Sequence, residues 1–173
     1  MSTPIPEDTL PTNSHMKFSY EYAVDVDISD GTGDPAWQRV RFIDQVAPAP
    51  VGVTVAAPTY EDKGSANNVR VSENWTLSFG VQAHVVDGAY LPEVQALLDR
   101  TAPDVQGEDA KIALRYYDNP GNDRDPVTTD SFSGLATVEM TRGQTGASGE
   151  VEMFNFTLTG VGKRSQTPHP DAA

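Results

Sequence analysis

The side chains able to do chemistry in this sequence are few and scattered. Histidine stands only at His15, His84 and His169, and no two are at metal-ligand spacing. Cysteine is absent, which removes thiolate metal sites, disulfides and cysteine nucleophiles. No G-x-S-x-G elbow, phosphate-binding loop or dinucleotide fingerprint occurs. Carboxylates are plentiful, 25 Asp and Glu among 173 residues. Two of them flanking a cleft could hydrolyse glycosides, but none stands out beside an apolar wall. Asp118, Asn122, Asp123 and Asp125 offer oxygen ligands. They lack the alternating ligands, the glycine and the closing glutamate of a helix-flanked calcium loop, and Asn119-Pro120-Gly121-Asn122 reads as a turn between strands. The residues therefore assign no catalytic group, metal or cofactor, and the chain reads as a non-enzyme.

Charge narrows the classes further. The chain carries 12 Lys and Arg against 25 Asp and Glu, net −13. The deficit lies in two blocks, −6 over residues 1–35 and −6 over 71–110. A nucleic-acid grip needs clustered Lys and Arg, so the balance argues against one. Ordinary solubility accounts for this much acid without any special role. No run nears the roughly 18 apolar residues of a membrane helix. Residues 1–14 show neither the basic start nor the apolar stretch of a signal peptide.

The elements that must position any site are mostly strands. Residues 1–15 are rich in proline and read as an N-terminal arm. Phe18, Tyr20, Tyr22, Val24, Val26 and Ile28 then alternate with polar residues, predicting a half-buried strand whose outer face carries Asp25 and Asp27. Trp37 to Ile43 predicts a second strand. Residues 46–68, interrupted by Pro48, Pro50 and Pro58, read as a long loop with Val51, Val53 and Val55 as a short extended piece. Val69 to Val85 alternates over 17 residues, broken only at Glu73. At about 3.3 Å per residue that is ~55 Å, so a bulge or bend is expected at Glu73 or Gly80. Pro92, Glu93, Val94, Leu97 and Leu98 predict one helix of about three turns. Lys111–Tyr117, Gly134–Thr141 and Val151–Gly160 predict further strands. Residues 163–173 read as a C-terminal arm. One domain over 16–162 follows, mainly β and antiparallel, a sandwich or half-barrel with one flanking helix.

The polar side of the long strand carries Ser72, Asn74, Thr76, Ser78 and Gln82, small and neutral, while Trp75 and Phe79 fall on the apolar side. A glycan-binding sandwich would instead expose aromatics there. Such a face suits a surface past which a polyanion slides.

Several segments in order resemble the major tail tube proteins of long-tailed phages, actinobacteriophage versions in particular. They are Trp37 with Arg39 and Arg41, Thr59-Tyr60-Glu61-Asp62-Lys63-Gly64, Trp75-Thr76-Leu77-Ser78-Phe79, Leu114-Arg115-Tyr116-Tyr117-Asp118, Gly134-Leu135-Ala136-Thr137-Val138, and Phe154-Asn155-Phe156-Thr157-Leu158-Thr159-Gly160-Val161-Gly162. The resemblance covers residues 37–170. It implies a structural virion protein, made in bacterial cytoplasm. Its hexameric rings would stack into a hollow tail tube, each subunit lending strands to a shared barrel. Its partners would be itself and the tail tip, tape measure and tail terminator proteins, with DNA passing through the lumen unbound and no membrane involved. Ser72, Asn74, Thr76, Ser78 and Gln82, with Asp25 and Asp27, become candidates for the lumen face. Pro48, Pro50, Tyr60, Glu61, Asp62 and Lys63 become candidates for an inter-subunit or inter-ring loop. The competing readings are a monomeric β-sandwich binding module, an acidic hydrolase, and an inner tube protein of a contractile or secretion system.

Overall fold

The computed structural model describes residue 14 and residues 16–29, 33–121, 124–144 and 146–170. His15, Asp30, Asn122 and Asp123 lie outside the described residues, as does most of the N-terminal arm. Nine strands, one α-helix and a short 3-10 turn are described: β1 Tyr22–Asp27, β2 Trp37–Arg39, β3 Ile43–Ala56, the turn Tyr60–Asp62, β4 Asn68–Gln82, β5 Val85–Val86, β6 Ala89–Tyr90, α1 Pro92–Asp99, β7 Lys111–Asp118, β8 Ser131–Gly143 and β9 Met153–Gln166. Seven of the strands form one antiparallel sheet in the order β2-β1-β7-β8-β9-β4-β3; β5 and β6 pair separately.

That order dictates the shape. β2 and β3 lie at opposite edges of the sheet yet are joined by residues 40–42 alone. Six inter-strand steps would separate the edges by about 29 Å in a flat sheet, whereas the connection reaches about 15 Å. The sheet must therefore fold over on itself. Val40 still donates its N–H to Val24 on β1, and Gln82 on β4 donates to the Phe42 carbonyl, so the connector is stitched to both edges. Phe42 takes a left-handed φ of 55° at this crossing. The result is a sandwich-like enclosure. A long half, β8-β9-β4-β3, faces a shorter half, β7-β1-β2, with α1 at its side.

The core lies between them. Leu77, Leu158 and Val138 align across β4, β9 and β8, and Phe79, Phe156 and Met140 form the next row. Val24, Val26, Ile112, Leu114 and Tyr116 come from the short half, and Val94 and Leu97 from α1. The helix begins at Pro92, as its sequence predicts, but runs eight residues rather than three turns.

Trp75 sets the other boundary. Its ring lies against β8 and β9 where both carry glycine. A Cβ at Gly160 would fall 2.1 Å from Trp75 Cε2, and one at Gly134 would fall 2.5 Å from Cζ2. The indole N–H donates to the Gly162 carbonyl at 3.0 Å. At this point β4 parts from β9: β4 pairs with β9 only from Thr76 to Gln82, while its pairing with β3 continues to Asn68. Residues 50–56 and 68–75 therefore project as a two-stranded arm.

Four expectations change. Residues 46–68 are not a loop: β3 takes up their first half and only the stretch around Tyr60–Asp62 is a connection. Pro48 and Pro50 lie within that strand. Of the two places expected for an irregularity, Gly80 adjoins one, the Gln45–Val46 bulge of β3 between the Asp44–Gly80 and Ala47–Ser78 pairs, while the other falls not at Glu73 but opposite Val53 and Thr54, where Val71 is the extra residue. Glu73 interrupts the apolar alternation because it holds Arg164 at 2.6 Å and Arg70 at 2.5 Å. The C-terminal arm begins later than residue 163, since β9 runs to Gln166. His169, in the segment read as an arm, is buried, its Nε2 2.6 Å from the Asp118 carbonyl.

Gly160→Ala should lower stability by about 1–3 kcal/mol, the usual cost of forcing a methyl into a packed site. Urea unfolding checks it; an unchanged midpoint would mean that Trp75 has room to move.

Candidate functional site

The outer face of the long half is built by alternation. Ser72, Asn74, Thr76, Ser78 and Gln82 share one face of β4. The register extends that face sideways. Thr76 lies between Ala49 of β3 and Thr159 of β9, and Thr159 lies beside Thr137 of β8. Ser78 lies between Ala47 and Thr157, and Thr157 beside Glu139. Asn74 stands opposite Val51, and Asn155 opposite Thr141. The side chains are short, mostly hydroxyl-bearing and solvent-accessible; Glu139 is the one charge of these rows on β3, β4, β8 and β9, and the Thr76 row meets Lys111 where it reaches β7. The sequence singled out the β4 row; its continuation on β8 and β9 needed the register.

The acidic candidates behave differently. Asp25 is 3% exposed and is no surface charge. Cross-strand pairing places it between Arg39 and Arg115. Its carboxylate lies 2.7 Å from the Arg115 guanidinium and accepts from the Tyr117 hydroxyl at 3.1 Å. The β1 face that alternation had assigned to solvent is covered by the cross-strand neighbours Arg39 and Arg115 and by Tyr117, against which His169 packs edge-on. Asp27 is partly exposed and organises the β1–β2 turn, accepting the backbone N–H groups of Ser29 and Ala36, both at 2.9 Å. Burial opposes its ionisation, yet those N–H groups hold its pKa below the usual carboxylate value.

Other buried carboxylates follow the same rule. Glu21 pairs with Arg124 at 3.0 Å, Asp118 with Lys17 at 2.8 Å and Glu93 with Arg41 at 2.7 Å. Arg41 grips both oxygens of Glu93. Burial by itself would push the Glu93 carboxyl up; the Arg41 fork overcomes this and leaves its pKa below the ordinary value. Arg70 and Arg164 are committed to Glu73, Lys111 to Glu108 and Arg142 to Glu152. Outside these pairs stand Lys63 at the arm's tip and Lys163 on β9, both exposed, the latter sharing a groove with Ser72 and Asn74. Asp118 of the considered calcium loop is occupied by Lys17 and by the Val127 N–H at 2.7 Å.

The arm presents the loop candidates. Tyr60, Glu61 and Asp62 form its tip, with Lys63 in a left-handed conformation after them. Asp62 accepts from the Thr59 N–H and hydroxyl, fixing the turn. Tyr60 is fully exposed, and Val51, Val55, Val69 and Val71 along the arm are each at least half exposed.

No protein-family model matches the sequence, and no curated protein matches it. In structure the chain is similar to the tail of an empty GTA particle refined with C6 symmetry, with a TM-score of 0.61 at 11% identity over 88% of this chain and 99% of that one. It is also similar to the anti-feeding prophage cap, a tube-terminating cap, with a TM-score of 0.56 at 11% identity over 95% of this chain and 100% of that one. The chain has the fold of these tail and tube-cap subunits. The mainly antiparallel β architecture with one helix agrees with the sequence reading. Among the described residues no helix is long and apolar enough to cross a membrane.

Glu93 carries stability that is present above its unfolded pKa, near 4.5, and lost as pH falls through its lower folded value. Arg41→Ala removes the guanidinium, leaves burial opposed only by the backbone N–H groups of Arg41 and Glu93, and raises that pKa. The variant should melt lower at neutral pH and regain stability on mild acidification, where the wild type begins to lose it. Melting temperatures across pH 4–7 check this; parallel profiles would remove the pair from the account.

Proposed function

We propose that this chain is the structural subunit of a phage-type tail tube, with six copies closing a ring and rings stacking into a hollow conduit for DNA. The single observation that supports this best is the outer face of the long half, a smooth surface of Ser, Thr, Ala and Asn on a fold like that of tail and tube-cap subunits. DNA is held by Lys and Arg on its phosphates and by aromatic platforms under its bases. Within the long half the rows built on Thr76 and Ser78 contain neither; where the Thr76 row reaches β7 it meets Lys111, which is paired with Glu108, and Lys163 shares a groove with Ser72 and Asn74. Set around a bore, this face lets a polyanion pass.

In this reading Ser72, Asn74, Thr76, Ser78 and Gln82 line the lumen together with Thr137, Glu139, Thr157 and Thr159. Asp27 stays at a turn, and Asp25 inside the subunit. The arm with Tyr60, Glu61, Asp62 and Lys63 at its tip reaches a neighbouring subunit or ring. The same likeness favours a second reading, an inner tube or cap subunit of a contractile particle, on the strength of the prophage cap. Partners at the tube ends would be tail tip, tape measure and terminator proteins, within a virion assembled in a bacterial host.

Negative-stain microscopy of the purified protein tests the reading. Rings or long tubes with a central hole are expected; single terminal rings that never stack would favour the cap, and a monomer at high concentration would count against both. Thr76→Lys places a cation on the outer face between Ala49 and Thr159, with no carboxylate directly beside it. Phage carrying it should build tails of normal length and release DNA more slowly. Unchanged release from intact tails would put the face outside the bore.

A further inference from the structure

β3 is an edge strand of 14 residues, whereas β2 at the opposite edge has three. Brevity protects β2. A free edge as long as β3 is a template for a strand of another copy, in many registers. The direction of its N–H groups follows from the end of the ladder. Ala57 donates to the Asn67 carbonyl at 2.8 Å. Counting back in twos, residues 55, 53, 51, 49 and 47 address β4, and 56, 54, 52, 50 and 48 address the free side. Pro48 and Pro50 stand at two consecutive outward positions, opposite Leu77 and Trp75. Their missing donors cost the β3–β4 ladder nothing. Pro50 is exposed, Pro48 is half-buried and neither makes a turn, so chain direction accounts for neither and packing does not account for Pro50.

We propose that Pro48 and Pro50 guard the free edge of β3 against strand addition by a second copy. Over this stretch the edge offers carbonyls but no donors, so an incoming strand loses two consecutive hydrogen bonds. Pairing along this edge is left to the distal part, residues 52–56. The guard acts in the isolated subunit whether or not rings form, and it keeps the unassembled pool dispersed.

P48T/P50T restores both donors on a β-forming residue. At matched concentration its light scattering should exceed that of the wild type by about tenfold or more, with thioflavin T fluorescence and a diffraction spacing of about 4.7 Å. P48K/P50K restores the same donors and substitutes charge as the guard; it should remain as dispersed as the wild type. The proposal is overturned if P48T/P50T stays dispersed with its β circular dichroism intact. It is also overturned if both variants lose that signal together, because the prolines then serve packing. Ring and tube formation by the wild type is scored separately by microscopy, so a failure there bears on the function and not on the edge.

Discussion

Residues 40–42 must carry the chain from one edge of a seven-stranded sheet to the other. Every larger feature follows from that constraint. A sheet forced to bring its edges together has an inside and an outside. The inside takes Leu77, Phe79, Leu114, Phe156 and Leu158 out of water and supplies the main favourable term of folding. It also takes in carboxylates that happen to stand on the inner face or beneath its covers. Each buried carboxylate then needs a cation or a hydrogen-bond donor, because an isolated charge in that setting is costly. Asp25, Glu93 and Asp118 are answered by Arg115, Arg41 and Lys17. The outside of the long half keeps mostly short polar side chains around Thr76 and Ser78, with Glu139 among them and Val51, Leu135, Val161 and Lys163 towards the arm.

The second consequence is the arm. Trp75 occupies the space that side chains at residues 134 and 160 would need, and β4 leaves β9 at that level. Beyond it two strands continue with no third hydrogen-bonded to their backbone, and β9 reaches them through the Arg164–Glu73 ion pair. An isolated two-stranded ribbon is marginal in water, and this one exposes Val51, Val55, Val69 and Val71. Such a ribbon is stabilised by covering it, and a copy of the same chain is the partner that the tube reading supplies. Two constraints then act on neighbouring parts of β3. The prolines close residues 48–50 to strand addition, and the distal arm stays open for contact.

How much of this the sequence disclosed depends on how local the cause was. The 15-residue β4, the core phase of Trp75, Leu77 and Phe79, and the start of α1 at Pro92 follow from neighbours in the chain, and all were legible. The β4 part of the outer face was legible for the same reason. β3 was misread because proline signals a break when position is unknown, and only the ladder shows that residues 48 and 50 turn their nitrogens outward. Asp25 was placed in solvent because alternation reports which side of a strand a residue occupies, not whether another layer covers that side. Its partners Arg39 and Arg115 are brought in by pairing across strands remote in sequence. His169 was read as a tail residue for the same reason: its partner, the Asp118 carbonyl, is 51 positions away.

The excess of acid is best understood by asking where the cations went. Net charge −13 on its own only disfavours binding to nucleic acid. Repulsion between exposed charges is screened within about 8 Å at physiological salt, so diffuse negativity guides a passing polyanion weakly. A single unpaired Lys or Arg on the bore is a stronger determinant, because in the proposed ring it would recur six times at one level and every level would repeat it. Contacts of that kind add, and each releases counterions from DNA. Lys17, Arg41, Arg115 and Arg124 are instead turned to buried acids and Arg164 to Glu73. The ion pairs make the enclosed carboxylates tolerable; in the proposed tube they would also hold cations away from the surface that DNA passes.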